Sequence, residues 1–248
     1  MNFSCMNLSE IDDIARLQPE IDSIVGRTWP AFLLENQVLK ECYGDLLSFF
    51  PRYQFCLFEN KEIVGIANDI SLLWNDNVQS LPSGGWEWAI RKGIDDRLKG
   101  LTPNTFAALS ITINPDFQGK GLSRIIIEEI KTLSKKEGLS QIIVPLRPAL
   151  KSCYPLTPMQ NYITWRNPDG QLLDPWLRIH TKCGAEIVKV CPESMRVSGT
   201  VSDWETWTKM KFFESGKYVI QGALNPIEIS MEQNLGEYIE PNIWVAYL

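Results

Sequence analysis

Apolar residues recur at three- and four-residue intervals near the start of the chain. Ile11, Ile14, Ala15 and Leu17, opening near Ser9 and Glu10, predict a first helix; residues 35–50 predict a second that stops before Pro51. The period then becomes that of strands. Residues 54–58 and 62–73 are β-rich and flank the polar turn Glu59-Asn60-Lys61, which predicts a hairpin. A mixed stretch over 75–104 holds Pro82, the pair Gly84-Gly85 and a predicted helix over 86–98. Residues 106–113 follow as a largely apolar run ending at Asn114-Pro115.

The clearest amphipathic pattern comes next. Leu122, Ile126, Ile130 and Leu133 form one stripe, Ile125 and Ile127 widen it, and Glu128, Glu129, Lys131, Lys135 and Lys136 take the other face. Acids precede bases, which complements the helix dipole, and Gly138 supplies a C′ stop. Residues 139–146 then read as a short strand. The centre of the chain is therefore strand, glycine loop, helix, strand: a βαβ unit with a parallel pair. Residues 151–174 are irregular and punctuated by proline. Asp174 as N-cap and Pro175 at the first helical position start a helix that runs to about Cys183 and ends at Gly184. A strand is predicted over 185–190, and the tail holds further β-rich pieces at 218–220 and 243–247. No repeat or linker composition appears, so residues 1–248 read as one domain, with a core over about 54–190 and a C-terminal extension over about 198–248.

Composition narrows the partners. The net charge of −6 without a basic block argues against nucleic acid, whose phosphates require clustered Lys and Arg. The six cysteines contain no C-x-x-C pair and the chain has one histidine, so no metal site is expected. Scattered cysteines, a first dozen residues without a basic start, and no apolar run near the roughly 18–20 residues of a membrane span point to a cytoplasmic protein without a membrane partner. Oligomeric state is not legible.

Candidate chemistry centres on Gln118-Gly119-Lys120-Gly121-Leu122-Ser123. A loop between a strand end and a helix start directs free backbone N–H groups and the positive helix end at a docked anion, and glycines let a phosphate approach closely. Lys120 adds a charge at the rim. Neither G-x-x-x-x-G-K-[ST] nor G-x-G-x-x-G is present, which disfavours nucleoside triphosphatases and dinucleotide dehydrogenases.

The run Asn114-Pro115-Asp116-Phe117-Gln118-Gly119-Lys120-Gly121-Leu122-Ser123 resembles the Q/R-x-x-G-x-G/A signature of the GNAT superfamily of acyl-CoA transferases, with Ser123 standing where the family has Gly or Ala. The predicted element order also resembles the family's, over about residues 57–190. The resemblance implies an α/β fold with a mixed, centrally splayed sheet flanked by helices, here carrying large insertions and a β-rich C-terminal extension. It implies acetyl-CoA as acyl donor, with the CoA pyrophosphate on the loop and the pantetheine arm along Ile111, Thr112 and Ile113. The segment His180-Thr181-Lys182-Cys183-Gly184 resembles a family pattern in which a general-acid Tyr stands four residues before the glycine; His180 holds that place. Acyl transfer needs a polarised carbonyl, a deprotonated amine and a stabilised leaving thiolate. His180 is the candidate for the last, and because imidazole titrates near neutrality it is a candidate base too.

Arg147, beyond the second parallel strand, is a candidate for a phosphate or a substrate carboxylate. Tyr154 and Tyr162 are further candidate phenol acids, Glu87 and Asp174 candidate bases, and Trp74, Trp86, Trp88, Trp165 and Trp176 candidate walls of an acceptor pocket. The expected activity is acetyl transfer to a small amine. Two alternatives stand beside it. Residues 146–148, 154–159 and 174–180 are similar to GNAT-like domains that load polyketide synthases, which implies malonyl-CoA decarboxylation or transfer to a carrier-protein thiol. The other alternative is an acyl-CoA-binding module without turnover.

Overall fold

The computed structural model describes residues 3–11 and 14–248. Strand β1 (Phe3–Asn7) leads through a 3-10 turn to helix α1 (Ile14–Thr28), the short α2 (Ala31–Leu34) and α3 (Gln37–Phe49). The hairpin β2 (Gln54–Glu59) and β3 (Glu62–Leu72) follows, then α4 (Gly85–Leu98), β4 (Thr105–Ile113), α5 (Leu122–Lys136) and β5 (Gln141–Leu146). The last third holds α6 (Met159–Tyr162), α7 (Pro175–Lys182), β6 (Glu186–Gly199), α8 (Val201–Thr208), β7 (Gly216–Tyr218), β8 (Ile227–Ser230) and β9 (Leu235–Tyr247).

Three early expectations need correction. The first helix begins at Ile14 rather than near Ser9, since residues 8–10 form a 3-10 turn capped by Asn7; Asp12 and Asp13 lie outside the described residues. Strand β1 was not expected. Its alternation is real, with Phe3 and Cys5 half-buried and Ser4 and Met6 exposed, but an outward methionine hides it in a five-residue segment. The predicted strand 185–190 is the start of the 14-residue β6.

The strands form one sheet in the order β1-β2-β3-β4-β5-β9-β8-β7, with β6 on the other edge of β9. The expected parallel pair is β4 and β5; every other pairing is antiparallel. That parallel ladder is short. It joins Thr105, Phe106 and Ala107 to Gln141, Ile142 and Ile143 and then ends. Beyond it, residues 108–113 stay paired to β3 while residues 144–146 stay paired to β9. The sheet is therefore split at its centre, which leaves β4 with an unpaired backbone edge facing the gap.

Helices cover both faces of the sheet. Leu122, Ile126 and Ile130 of α5 and Leu177 of α7 pack on Phe106, Ala108 and Val245. Val38 and Leu46 of α3 and Ala89 and Ile90 of α4 pack on the opposite face against Ala107, Leu109 and Trp244. A separate core joins Phe32 and Leu33 of α2 to Trp204 of α8, Ile227 and Ile229 of β8 and Tyr238 of β9. Residues 201–238 thus add an apolar unit at the far end of β9, whose residues 243–247 belong to the central sheet.

One buried carboxylate has no compensation. Asp69 of β3 is fully buried and neither carboxylate oxygen has a partner, although Gln54 satisfies its backbone at both ends (Nε2 to Asp69 O 2.7 Å; Asp69 N–H to Oε1 3.3 Å). Burial drives its acidity well above the usual carboxylate range. The folded state then holds one proton more than the unfolded state at any pH between the two pKa values, so stability falls as pH rises through that window. Replacing Asp69 with Asn should raise the urea midpoint at pH 8 by an amount equivalent to about 1–3 kcal/mol. The gain should shrink towards pH 4. A gain that is the same at both pH values would contradict this reading.

Candidate active site

The split in the sheet opens into a cleft of about 1320 Å³. A typical small-molecule pocket is ~300–1,000 Å³, so this one can take a long arm together with a second reactant. Its walls come from both faces of the sheet. Gln118, Gly119, Gly121, Leu122 and Ser123 line it on the α5 side, with Trp176, Arg178, Ile179, His180 and Lys182 of α7. Asp22, Trp29, Leu33, Lys40 and Tyr43 line it on the other side, with Trp86, Arg147, Glu240 and Asn242. Between them run Ser110, Ile111, Thr112 and Ile113 of β4 and Val144, Pro145 and Leu146 of β5.

A β-bulge sets which side chains of β4 face which way. Asn68 pairs with Ser110 but Asp69 pairs with Ala108, so Leu109 is the extra residue. Phe106 and Ala108 face α5 before the bulge, and Ile111 and Ile113 face α5 after it. Ser110 and Thr112 are thereby turned to the opposite side. There Asn68 Nδ2 donates to Ser110 Oγ (3.0 Å) and Trp29 Nε1 donates to Thr112 Oγ1 (2.9 Å). The carbonyl of Leu109 accepts from Trp86 Nε1 (3.1 Å).

The glycine loop has the form an anion site needs. Gly119 and Gly121 both have φ of +77°, and a Cβ on either would meet nothing within 4 Å. Left-handed backbone, not crowding, is what calls for glycine here. Gly121 is the N-cap of α5, offers no side-chain cap, and no acidic residue follows in the first turn. Arg124 N–H already donates to the carbonyl of Gly121 (3.1 Å), and the N–H groups of Leu122 and Ser123 before it are left for a ligand. Gln118 reaches back to the carbonyl of Ile113 (3.4 Å). Ser123 is half-buried on the cleft wall. Lys120 is exposed and does not line the cleft; its ammonium lies 4.3 Å from the centre of the Phe117 ring.

His180 lines the same cleft and is 3% exposed. Its ring lies against Trp176, and its Nδ1 is 2.8 Å from the hydroxyl of Tyr247 at the end of β9. Burial lowers its pKa to about 4, so the imidazole is neutral at pH 7 and the titration near neutrality expected for a free histidine is absent. Burial raises the Tyr247 phenol, which is neutral as well.

Other expected residues are occupied elsewhere. Arg147 Nε donates to both oxygens of the fully buried Glu240 (3.0 and 3.1 Å) and Nη2 donates to the carbonyl of Gly222 (2.6 Å). Tyr238 and Asn242 also donate to Glu240. Arg147 therefore ties β5 to the C-terminal extension and lies over Trp29, on the side of the cleft away from α5. Asp174 caps α7 through one oxygen and accepts from Leu150 N–H and Tyr162 Oη through the other, so no lone pair is left for a base. Glu87 is held by Asn36 and by Arg196 N–H. Tyr154 meets Trp165 edge to face and Tyr162 packs tilted against it, and Trp74, Trp88 and Trp244 meet edge to face in turn, all outside the cleft walls. Only Trp86 and Trp176 of the five expected tryptophans line the cleft, where Trp29 joins them. Sequence reasoning missed Trp29, Tyr247, Arg178 and Lys182. Lys182 and Arg178 stand two and six residues before Gly184, on either side of His180 in the same helix.

A glycine loop at a helix start, an unpaired strand edge in a split sheet and a helix wall bearing a histidine line one cleft, the arrangement expected of a GNAT-type fold. No family model matches the chain. The chain is 30% identical over 247 residues to the arginine N-acetyltransferase of Aspergillus versicolor, covering 88% of this chain and 84% of that one. The fold is similar to the loading GNAT-like domain of CurA from Lyngbya majuscula (20% identity, 100% and 98% coverage, TM-score 0.64) and to the GNAT-like decarboxylase GphF in complex with isobutyryl-CoA (13% identity, 100% and 98% coverage, TM-score 0.58). This chain belongs to the GNAT superfamily and is an acyl-CoA-dependent acyltransferase, with coenzyme A carrying the acyl group. Among the described residues no helix is long and apolar enough to cross a membrane, and no cluster of His, Cys, Asp or Glu has the makings of a metal site.

Proposed function

We propose that the chain transfers acetyl from acetyl-CoA to a nitrogen of a small cationic acceptor, with arginine and its derivatives as the first candidates. One observation carries the reading: the glycine loop and His180 line one continuous cleft that passes between β4 and β5 to the opposite face of the sheet. The N–H groups of Gly119, Gly121, Leu122 and Ser123 hold the pyrophosphate, with Gln118 fixing the loop. The free edge at Ile111, Thr112 and Ile113 pairs with the pantetheine amides, which brings the thioester to the region of His180. Lys182 on the same wall suits the donor's phosphates, whereas Nη1 of Arg178 already donates to the carbonyls of Leu172 and Leu173 (2.6 and 3.1 Å); Lys120 contributes only to the surrounding field. Arg147 shapes the acceptor end and does not hold CoA, because Glu240 and Gly222 take up its guanidinium.

The acceptor enters from the side of α1 and α3. Trp29, Trp86 and Tyr43 line it there, with Arg147 already over the Trp29 ring, and Asp22 has a hydrogen bond from Gln18 (2.7 Å) but no ion pair among the described residues. Rings and a free carboxylate favour a cation. The named activity of the 30% identical relative agrees with that chemistry.

The test is to incubate the chain with acetyl-CoA and arginine, then measure free CoA thiol and the mass of the acceptor. Thiol release that depends on arginine, with a gain of one acetyl group, is the expected result. Conversion of malonyl-CoA to acetyl-CoA without acetylated arginine would replace this reading with the decarboxylase.

A further inference from the structure

The His180–Tyr247 contact decides what the histidine can offer the reaction. Both residues are buried, and the phenol oxygen lies 2.8 Å from Nδ1. Two arrangements fit that distance. Either Nδ1–H donates to the phenol oxygen and leaves a lone pair on Nε2, or the phenol O–H donates to Nδ1 and leaves Nε2 protonated. In the first, the phenol proton is left without an acceptor, since Nδ1 is the one acceptor that the Tyr247 hydroxyl meets among the described residues. In the second, both groups are satisfied, and the second ring nitrogen has no protein partner and faces the cleft.

We propose that Tyr247 is a positioning residue whose hydroxyl donates to Nδ1 of His180, locking the ring as the Nε2–H tautomer, so that His180 presents the cleft with a hydrogen-bond donor and not with a base. This rests on the cleft being the site of acyl transfer. The groups around the pair agree with a neutral donor. Trp176 packs on the imidazole, Lys131 of α5 lies 5.8 Å above the Tyr247 ring, and no carboxylate bonds to the ring to hold a second proton. In the reaction, the acceptor nitrogen forms a C–N bond and the C–S bond breaks, with its electron pair remaining on sulfur. The hydrogen bond donated by Nε2–H strengthens as negative charge develops on the carbonyl oxygen and then on the sulfur. His180 keeps its proton throughout, and the proton of the acceptor nitrogen leaves to solvent.

The chain has a single histidine, so a long-range proton–nitrogen NMR correlation on the full chain labelled at histidine reads this ring without assignment. At pH 7 the wild type should show one species, with Nε2 protonated and Nδ1 bare. Tyr247→Phe should give mixed tautomers and a kcat about tenfold lower, with KM for acetyl-CoA unchanged. His180→Gln, whose amide nitrogen takes the place of Nε2–H, should keep at least about tenfold more activity than His180→Phe. A wild-type ring with Nδ1 protonated, or one carrying both protons, overturns the proposal even if acyl transfer itself is confirmed. So does a His180→Gln variant no more active than His180→Phe. The NMR result needs no turnover, so it stands apart from the functional assignment.

Discussion

His180→Phe should lower kcat by roughly 10²–10³-fold, the usual cost of removing one donor from developing negative charge, while KM for acetyl-CoA stays within about a factor of two. The split follows from the proposed donor site along α5 and β4, which the substitution does not touch, and from a proposed role of Nε2 only where charge builds. Phenylalanine keeps the packing on Trp176. The same change should alter acid stability. Folded His180 titrates at about 4 against 6.5 for a free ring, so over that window the unfolded chain binds the extra proton and wild-type stability falls as pH drops from 6.5 towards 4. The fall amounts to about 3 kcal/mol, and His180→Phe should abolish it. Thermal unfolding of both proteins at pH 7 and pH 4.5 measures this; parallel losses would mean the imidazole is not the buried neutral group described above.

Gly121→Val should raise KM for acetyl-CoA by about tenfold or more and leave the turnover of bound substrate much less affected. At φ of +77° a β-branched residue is strained, and its side chain points into the open space where an anion would sit. Strain alone is a competing explanation, and Gly138 separates the two. It has φ of +72° at the far end of the same helix, likewise with open space around its Cβ position. Gly138→Val should cost a similar amount of stability, about 1–3 kcal/mol, without changing KM. If both variants raise KM alike, the loop is not the donor site.

The sequence made the central βαβ unit legible because each signal there was local. Leu122, Ile126 and Ile130 lie on one turn-to-turn stripe, Asp174 and Pro175 start α7, and Gly138 and Gly184 stop their helices at positive φ. What stayed hidden depended on contacts far apart in the chain. The bulge at Leu109 decides whether Ser110 or Ile111 faces α5, and only its partner strand reveals it. Tyr247, 67 positions from His180 in the chain, reaches it because β9 runs alongside β5. Arg147 looked like a phosphate ligand because it follows a parallel strand; its carboxylate partner lies 93 residues on, in the extension. The acidity of His180 was misjudged for a similar reason, since nothing in its own helix tells that the ring is 3% exposed.

A crystal structure of the chain with acetyl-CoA tests the central claim most directly. The account predicts pyrophosphate oxygens on the N–H groups of Gly119, Gly121, Leu122 and Ser123, and pantetheine amides paired to the edge at Ile111, Thr112 and Ile113. It also predicts the thioester within hydrogen-bonding distance of His180 Nε2. A pyrophosphate seated away from this loop, or a thioester that meets other side chains while His180 stays unengaged, would contradict it.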